Sequence, residues 1–275
     1  MDPNSVVPLW LIAGLFGLLF GSFLNVCIYR VPRDLSVVWP GSSCKSCGSL
    51  IAWYDNLPVL SFLVLRGRCR RCAKPIGYRY LAVEVVTALL FGFIAASFGF
   101  TLESLKWCLF VANLIVLFWT DVEQRLLPDE FTLGGTLAGL VFAAFVPMHS
   151  VFAESLIPVA SPRVQSLFNS ATGALVLSVP LAGLGWLYRR VRGRPGLGLG
   201  DVKLLALMGT FLGAENGLVA LLIGSLSGSV VGVTYVLVRR KDLQTYQLPF
   251  GSFLCGGAII SALWNGSLDL LLGVR

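Results

Sequence analysis

The chain is predicted to be an all-α polytopic membrane protein: eight transmembrane helices, with a small polar insertion after the first. Three observations predict it. Of 275 residues, 56% are hydrophobic and only 13% are charged, whereas soluble domains carry about a quarter charged residues. The apolar residues fall into long uninterrupted runs, as a bilayer solvent demands. The basic residues then divide unequally between the two sides those runs define. With the amino terminus outside, 18 of the 21 Lys and Arg residues fall on the inner side, leaving only Lys106, Arg163 and Arg275 outside. That is the positive-inside pattern. The net charge of +7 is therefore mostly topology, and nucleic acid is not an expected partner; the expected surroundings are a lipid bilayer.

The spans are read at residues 9–29, 80–98, 102–120, 131–148, 171–188, 202–213, 218–238 and 250–272. A helix rising about 1.5 Å per residue needs about 20 residues to cross, and 202–213 is too short. It is kept because without it Arg239–Lys241 would change sides, and because short or broken helices are tolerated where protein covers them. The opening Met-Asp-Pro-Asn-Ser carries no basic run, so the first apolar segment is expected to remain as an anchor rather than be cleaved. The division expected is 1–29 as the first transmembrane helix, 30–79 as the insertion, and 80–275 as a seven-helix membrane domain. The Pro/Gly-rich stretch 194–200 is the only linker-like composition.

The insertion contains Cys44-x-x-Cys47 and Cys69-x-x-Cys72, separated by 21 residues, one more than the usual upper spacing of a zinc ribbon. Two tight turns presenting two thiolates each complete a tetrahedral zinc site. The topology places the segment in the reducing cytoplasm, where disulfides are rare. Cys44, Cys47, Cys69 and Cys72 are thus the expected ligands of a structural zinc, which supplies folding energy that fifty mostly polar residues lack on their own. Cys27, Cys108 and Cys255 sit singly in apolar spans and read as core residues. The run Arg66-Gly-Arg68-Cys-Arg70-Arg71 reads as an anchor facing anionic lipid.

Ionisable residues at span ends are expensive and mark function. Asp121 ends the third span and Asp201 opens the sixth, both on the inner side. Two carboxylates at one depth share a proton, one serving as base toward water and the other as acid toward a carbonyl. His149 is the only histidine and falls outside; no HExxH exists, which leaves carboxylate chemistry as the economical choice. Asp121 and Asp201 are the expected catalytic pair. Locally, Asp201 also sits where a helix cap is expected, and Asp129 after Pro128 reads as a cap for the fourth span. Gly198 and Gly200 are expected to let an extended substrate approach Asp201, and Asp129 joins them as an expected substrate contact. Lys203, two residues after Asp201, does not face it on a regular helix.

These residues resemble a known family, the bacterial type IV prepilin peptidases, also called leader peptidase/N-methyltransferases. The resemblance begins at Gly21-Ser-Phe-Leu-Asn25-Val26 and continues through the paired CxxC motifs, Trp53-Tyr-Asp-Asn-Leu-Pro-Val-Leu-Ser61 and Leu65-Arg-Gly-Arg-Cys-Arg-Arg-Cys72. Arg79-Tyr80 with Glu84 follow, then Asp121 with Pro128-Asp129, Gly198-x-Gly200-Asp201-x-Lys203 and Pro249-Phe-Gly-Ser-Phe-Leu254. It implies an aspartyl pair of Asp121 and Asp201, an inner-membrane location with the active site at the cytoplasmic face, and prepilin or pseudopilin substrates cut after glycine. It also implies S-adenosylmethionine-dependent methylation of the new amino terminus. Two positions depart from the pattern. Ala88 stands where the family often has glycine, in a region tied there to methylation, and Ser252 replaces a common proline. The competing class is a proton-coupled transporter with a regulatory zinc module. It would need polar groups continuing to the opposite face, which the last two spans supply only as scattered Ser and Gly.

Overall fold

The computed structural model describes residues 8–148, 150–193, 198–239 and 248–272. The amino-terminal pentapeptide, His149, residues 194–197 of the linker-like stretch, Arg240–Lys241 and Arg275 lie outside the described residues. Among the described residues the fold is helical, with no strand beyond two isolated bridges in the cysteine module. The helices are α1 (Leu9–Arg30), α2 (Leu60–Val64), α3 (Tyr78–Phe98), α4 (Leu102–Gln124), α5 (Asp129–Phe145), α6 (Val151–Leu156), α7 (Pro162–Arg192), α8 (Leu199–Arg239) and α9 (Phe250–Leu272). Five of them, α1, α3, α4, α7 and α8, are long and apolar enough to cross a membrane. The expectation of eight separate crossings is thus met in part.

The chain divides into two compact units, Met1–Val116 and Leu117–Arg275. In the first, α1 and α3 cross with backbones almost touching. A Cβ built on Gly17 would lie 2.8 Å from Ala88 Cα, and one on Gly21 would lie 2.7 Å from Glu84 Cα. Small residues at a crossing allow this approach. At the Ala88 departure, α1 contributes the glycine on its own side.

In the second unit, α8 packs against α5, α7 and α9. The short sixth span and the seventh are one continuous run broken at Gly213, whose φ of 75° is helical in neither hand with its ψ of −176°. Only glycine takes this conformation cheaply. The Asn169 side chain occupies the break, and the Ala214 N–H donates to Asn169 Oδ1 at 3.2 Å. Ahead of the break, Leu204, Leu205, Leu207, Met208 and Phe211 are all fully buried. A helix apolar and buried all round is a core helix, so the segment is short because protein encloses it.

The fifth span begins at Pro162 rather than at residue 171. The added turns are polar, so an apolar-run reading passes over them. Inside the unit they are satisfied: Ser166 Oγ donates to the Val146 carbonyl at 3.3 Å and Ser170 Oγ to the Thr210 carbonyl at 2.8 Å. The α6 turn was likewise missed; Ser150 caps it by accepting from Ala153 N–H at 3.2 Å.

Candidate active site and metal centre

Helix α4 runs four residues past the expected end at 120, so Asp121 lies in its last turn. The residue is buried, and its Oδ2 accepts the backbone N–H of Ser252 at 2.6 Å. Ser252 sits in the first turn of α9, where amide donors have no partner within their own helix. Its backbone N–H matters because proline, common in the family at this position, would have none. The departure at Ser252 therefore provides Asp121 with a donor.

Helix α8 begins at Leu199, so Asp201 is inside the first turn rather than at the cap, and its amide donates to the Gly198 carbonyl at 3.2 Å. A Cβ on Gly198 would stand 3.3 Å from Asp201 Oδ2, so a larger residue there would crowd the carboxylate. Leu127 joins the two helix ends. Its side chain would meet a Cβ on Gly200 at 3.2 Å and one on Gly251 at 3.1 Å, and a Cβ on Gly251 would also lie 3.2 Å from Asp121 Oδ2. Leu127 thus packs beside the glycine that precedes Asp201 and beside Gly251, the neighbour of Asp121, and the two carboxylates lie within electrostatic reach of each other. Leu127 has no signal in the sequence beyond preceding Pro128-Asp129, and Gly251 stands there only as part of the Pro249-Phe-Gly motif.

Asp129 does not cap α5. The N-cap is Pro128, and no side chain bonds there. Asp129 instead takes both its oxygens to Lys203 Nζ, at 2.7 and 2.8 Å. The lysine's partner thus comes from another helix.

In the first unit the four cysteines form one cluster, their sulfurs all within 4.8 Å of one another. Cys44 Sγ and Cys72 Sγ are 3.8 Å apart; a tetrahedral zinc with bonds of about 2.3 Å holds its sulfurs about 3.8 Å apart. The two CxxC segments fold alike. Cys44 N–H donates to Ser49 O and Gly48 N–H to Cys44 O; Cys69 N–H donates to Lys74 O and Ala73 N–H to Cys69 O. Gly48 and Ala73 occupy equivalent left-handed positions, at φ 69° and 55°. The Ser49 hydroxyl, 3.0 Å from Cys47 Sγ, and then the Ser49 amide bring that thiol down to about 6. The Cys72 and then the Arg71 backbone amides lower Cys69. The Lys74 amide favours the Cys72 thiolate too, but burial and the three neighbouring sulfurs push that thiol up to about 11. Four thiols this close resist full ionisation unless a cation joins them, and a divalent soft-metal ion fits the set. Cys27 and Cys255 are buried, as expected of core residues. Arg70 of the basic run makes a two-point ion pair with Asp55, at 2.6 and 2.7 Å, and these hydrogen bonds hold the Asp55 carboxyl below the usual carboxylate range.

Fold and site together define a class: a multi-pass helical membrane protein with two carboxylates at helix ends in its second unit and a four-thiol cluster in its first. Residues 15–98 match the bacterial peptidase A24 N-terminal domain, and residues 108–233 match the type IV leader peptidase family. The chain is 35% identical to the prepilin leader peptidase/N-methyltransferase of Pseudomonas putida, over 98% of this chain and 94% of that one. It is 33% identical to the protein of the same name from Legionella pneumophila, over 94% and 93%. With that of Myxococcus xanthus it shares 40% identity over 82% of this chain and 62% of the relative. The chain belongs to the type IV leader peptidase family. No solved structure matches it. The transporter alternative finds no support among these relatives.

Proposed function

We propose that Asp121 and Asp201 are the catalytic pair with which this chain removes the leader from type IV prepilins and type II secretion pseudopilins. The observation that carries the reading is that two carboxylates, from α4 and α8, lie within electrostatic reach of each other. One ionised carboxylate takes a proton from water as the oxygen attacks the scissile carbonyl. The other, protonated, hydrogen-bonds to the carbonyl oxygen and then gives its proton to the departing amine nitrogen. The Ser252 amide steadies Asp121 in this work, since a carboxylate accepting a backbone N–H is held in place.

Gly198 and Gly200 line the substrate strand, and Asp129 contacts it beside Lys203. A helical peptide bond is masked by its own hydrogen bonds, so the substrate is extended at the cut, and a glycine before it eases this. The active site lies at the cytoplasmic face of the inner membrane, the side given by the basic residues. Residues 30–79 form a zinc-binding insertion whose four cysteines fill every position on the ion, which makes it structural. The second activity is methylation of the amine that cleavage exposes. S-adenosylmethionine supplies the methyl group, leaving a thioether and a proton.

Mass spectrometry of a prepilin incubated with the full-length protein and S-adenosylmethionine tests this. The expected product is cut after glycine and heavier by one methyl group. A substrate whose cleavage site is moved several residues into its apolar helix should remain whole. An uncut native prepilin, or efficient cutting at the displaced site, would contradict the reading.

A further inference from the structure

The connection from α4 to α5 mounts one apolar side chain rigidly beside the carboxylate pair. Arg125, at φ 55°, turns the chain out of α4, and its N–H donates to the Asp121 carbonyl at 2.8 Å. Two residues further, Leu127 precedes Pro128, which restricts it to extended backbone. The Pro128 carbonyl accepts the Phe131 and Thr132 amides, at 3.2 and 3.1 Å, and so opens α5. Leu127 is thereby fixed from both sides. Its isobutyl group is wedged between two helices. A Cβ on Gly200 of α8 would lie 3.2 Å from Leu127 Cδ1, and one on Gly251 of α9 would lie 3.1 Å from the same atom. Both approaches are closer than the best separation of two carbons, about 3.5–4.0 Å. The leucine is only half-buried, so part of it remains accessible.

The same places border the carboxylates. The Cβ position on Gly251 is also 3.2 Å from Asp121 Oδ2, and that on Gly198 is 3.3 Å from Asp201 Oδ2. Gly200 directly precedes Asp201. Three residues without side chains and one leucine thus stand close to the two carboxylates. A peptide carbonyl attacked there belongs to a residue whose Cα is about 1.5 Å from the reacting carbon, with any Cβ one bond further. A side chain on that residue would start inside the crowded zone, where the glycines offer no group that can turn aside and Leu127 is held on two sides. We infer that Leu127 sets the size limit for the substrate residue before the cut, its isobutyl group filling the space that a side chain larger than hydrogen would need. The inference rests on the reading of Asp121 and Asp201 as the cleaving pair, and it gives cutting after glycine a physical cause. In a tight apolar site one methylene is worth about 10- to 200-fold in discrimination.

The test uses full-length, zinc-loaded protein in detergent. A prepilin competes in one reaction with its counterpart carrying alanine in place of the glycine before the cut, and mass spectrometry gives the ratio of their kcat/KM values. Wild type should prefer glycine. Leu127→Ala should raise the relative rate on the alanine substrate about tenfold or more, and Leu127→Val should shift it the same way by less. Leu127→Met, which keeps the volume, should hold the wild-type preference. An equal loss on both substrates, down to complete inactivity, is what a leucine with a purely structural role gives, and it would overturn the assignment. So would a changed preference confined to substrates varied at the residue after the cut. A wild-type protein that cuts neither substrate would instead remove the reading of the aspartyl pair on which the inference rests.

Discussion

The cysteine module of the first unit and the helical core of the second reach order in opposite ways. In the cysteine module of residues 30–79, between α1 and α3 of the first unit, four thiols converge among mostly exposed residues, with little apolar packing to order them. In the second unit the polar groups are enclosed by apolar helix, and order depends on packing around Leu204, Leu205, Leu207, Met208 and Phe211. The contrast says where each kind of damage should appear. Removing a cysteine in the first unit should unravel a module, whereas adding side chains in the second should displace a carboxylate by about an ångström.

The largest effect expected is on the metal. Cys44→Ser or Cys72→Ser should abolish stoichiometric zinc and open the module to proteolysis, since structural zinc supplies about 10–16 kcal/mol of apparent binding energy. Elemental analysis and limited digestion read this directly. A full zinc equivalent retained by both variants would break the comparison from the metal side. Next comes crowding of the carboxylates. Val at both Gly198 and Gly200 should slow cleavage by about 10²-fold, the scale of a 1 Å misplacement, with zinc content intact. A rate close to wild type would mean that the close contacts with Asp201 and Leu127 do not position the chemistry. Smaller again is Ser252→Pro, which deletes the amide donor to Asp121 in the first turn of α9, where proline is tolerated. Its pH–rate profile should move, while that of Ser252→Ala, which keeps the amide, should not. The smallest change is a gain. Ala73→Gly relieves a left-handed alanine that its counterpart Gly48 avoids, and should stabilise the zinc-loaded module by about 1 kcal/mol, measured by thermal unfolding.

Much of this architecture was legible because bilayer and metal chemistry write periodic signals. Apolar runs located most helices to within a few residues, and the CxxC pairs located the sulfur cluster. The positions of Asp121 and Asp201 at two helix ends were readable too. The failures share one cause. Polar residues that are satisfied by other segments look like loop in a sequence, and so Ser166, Asn169 and Ser170 hid the first turns of α7. The break at Gly213 was visible only as a span too short to cross, because the group that fills it, Asn169, is distant in sequence. Asp129 looked like a cap since its true partner, Lys203, is 74 residues away. Backbone donors such as the Ser252 amide carry no side-chain signature at all.

The central claim is that Asp121 and Asp201 act together on the scissile bond. Prepilin cleavage by Asp121→Asn and by Asp201→Asn, in purified protein shown to hold its zinc, tests it most directly. An amide keeps the size of each side chain but can neither take water's proton nor lend one. Each single variant should lose about 10³-fold or more in cleavage rate, and the double variant should be scarcely worse, because groups that act as a unit are not additive. A single variant that cleaves at a rate near wild type would contradict the account.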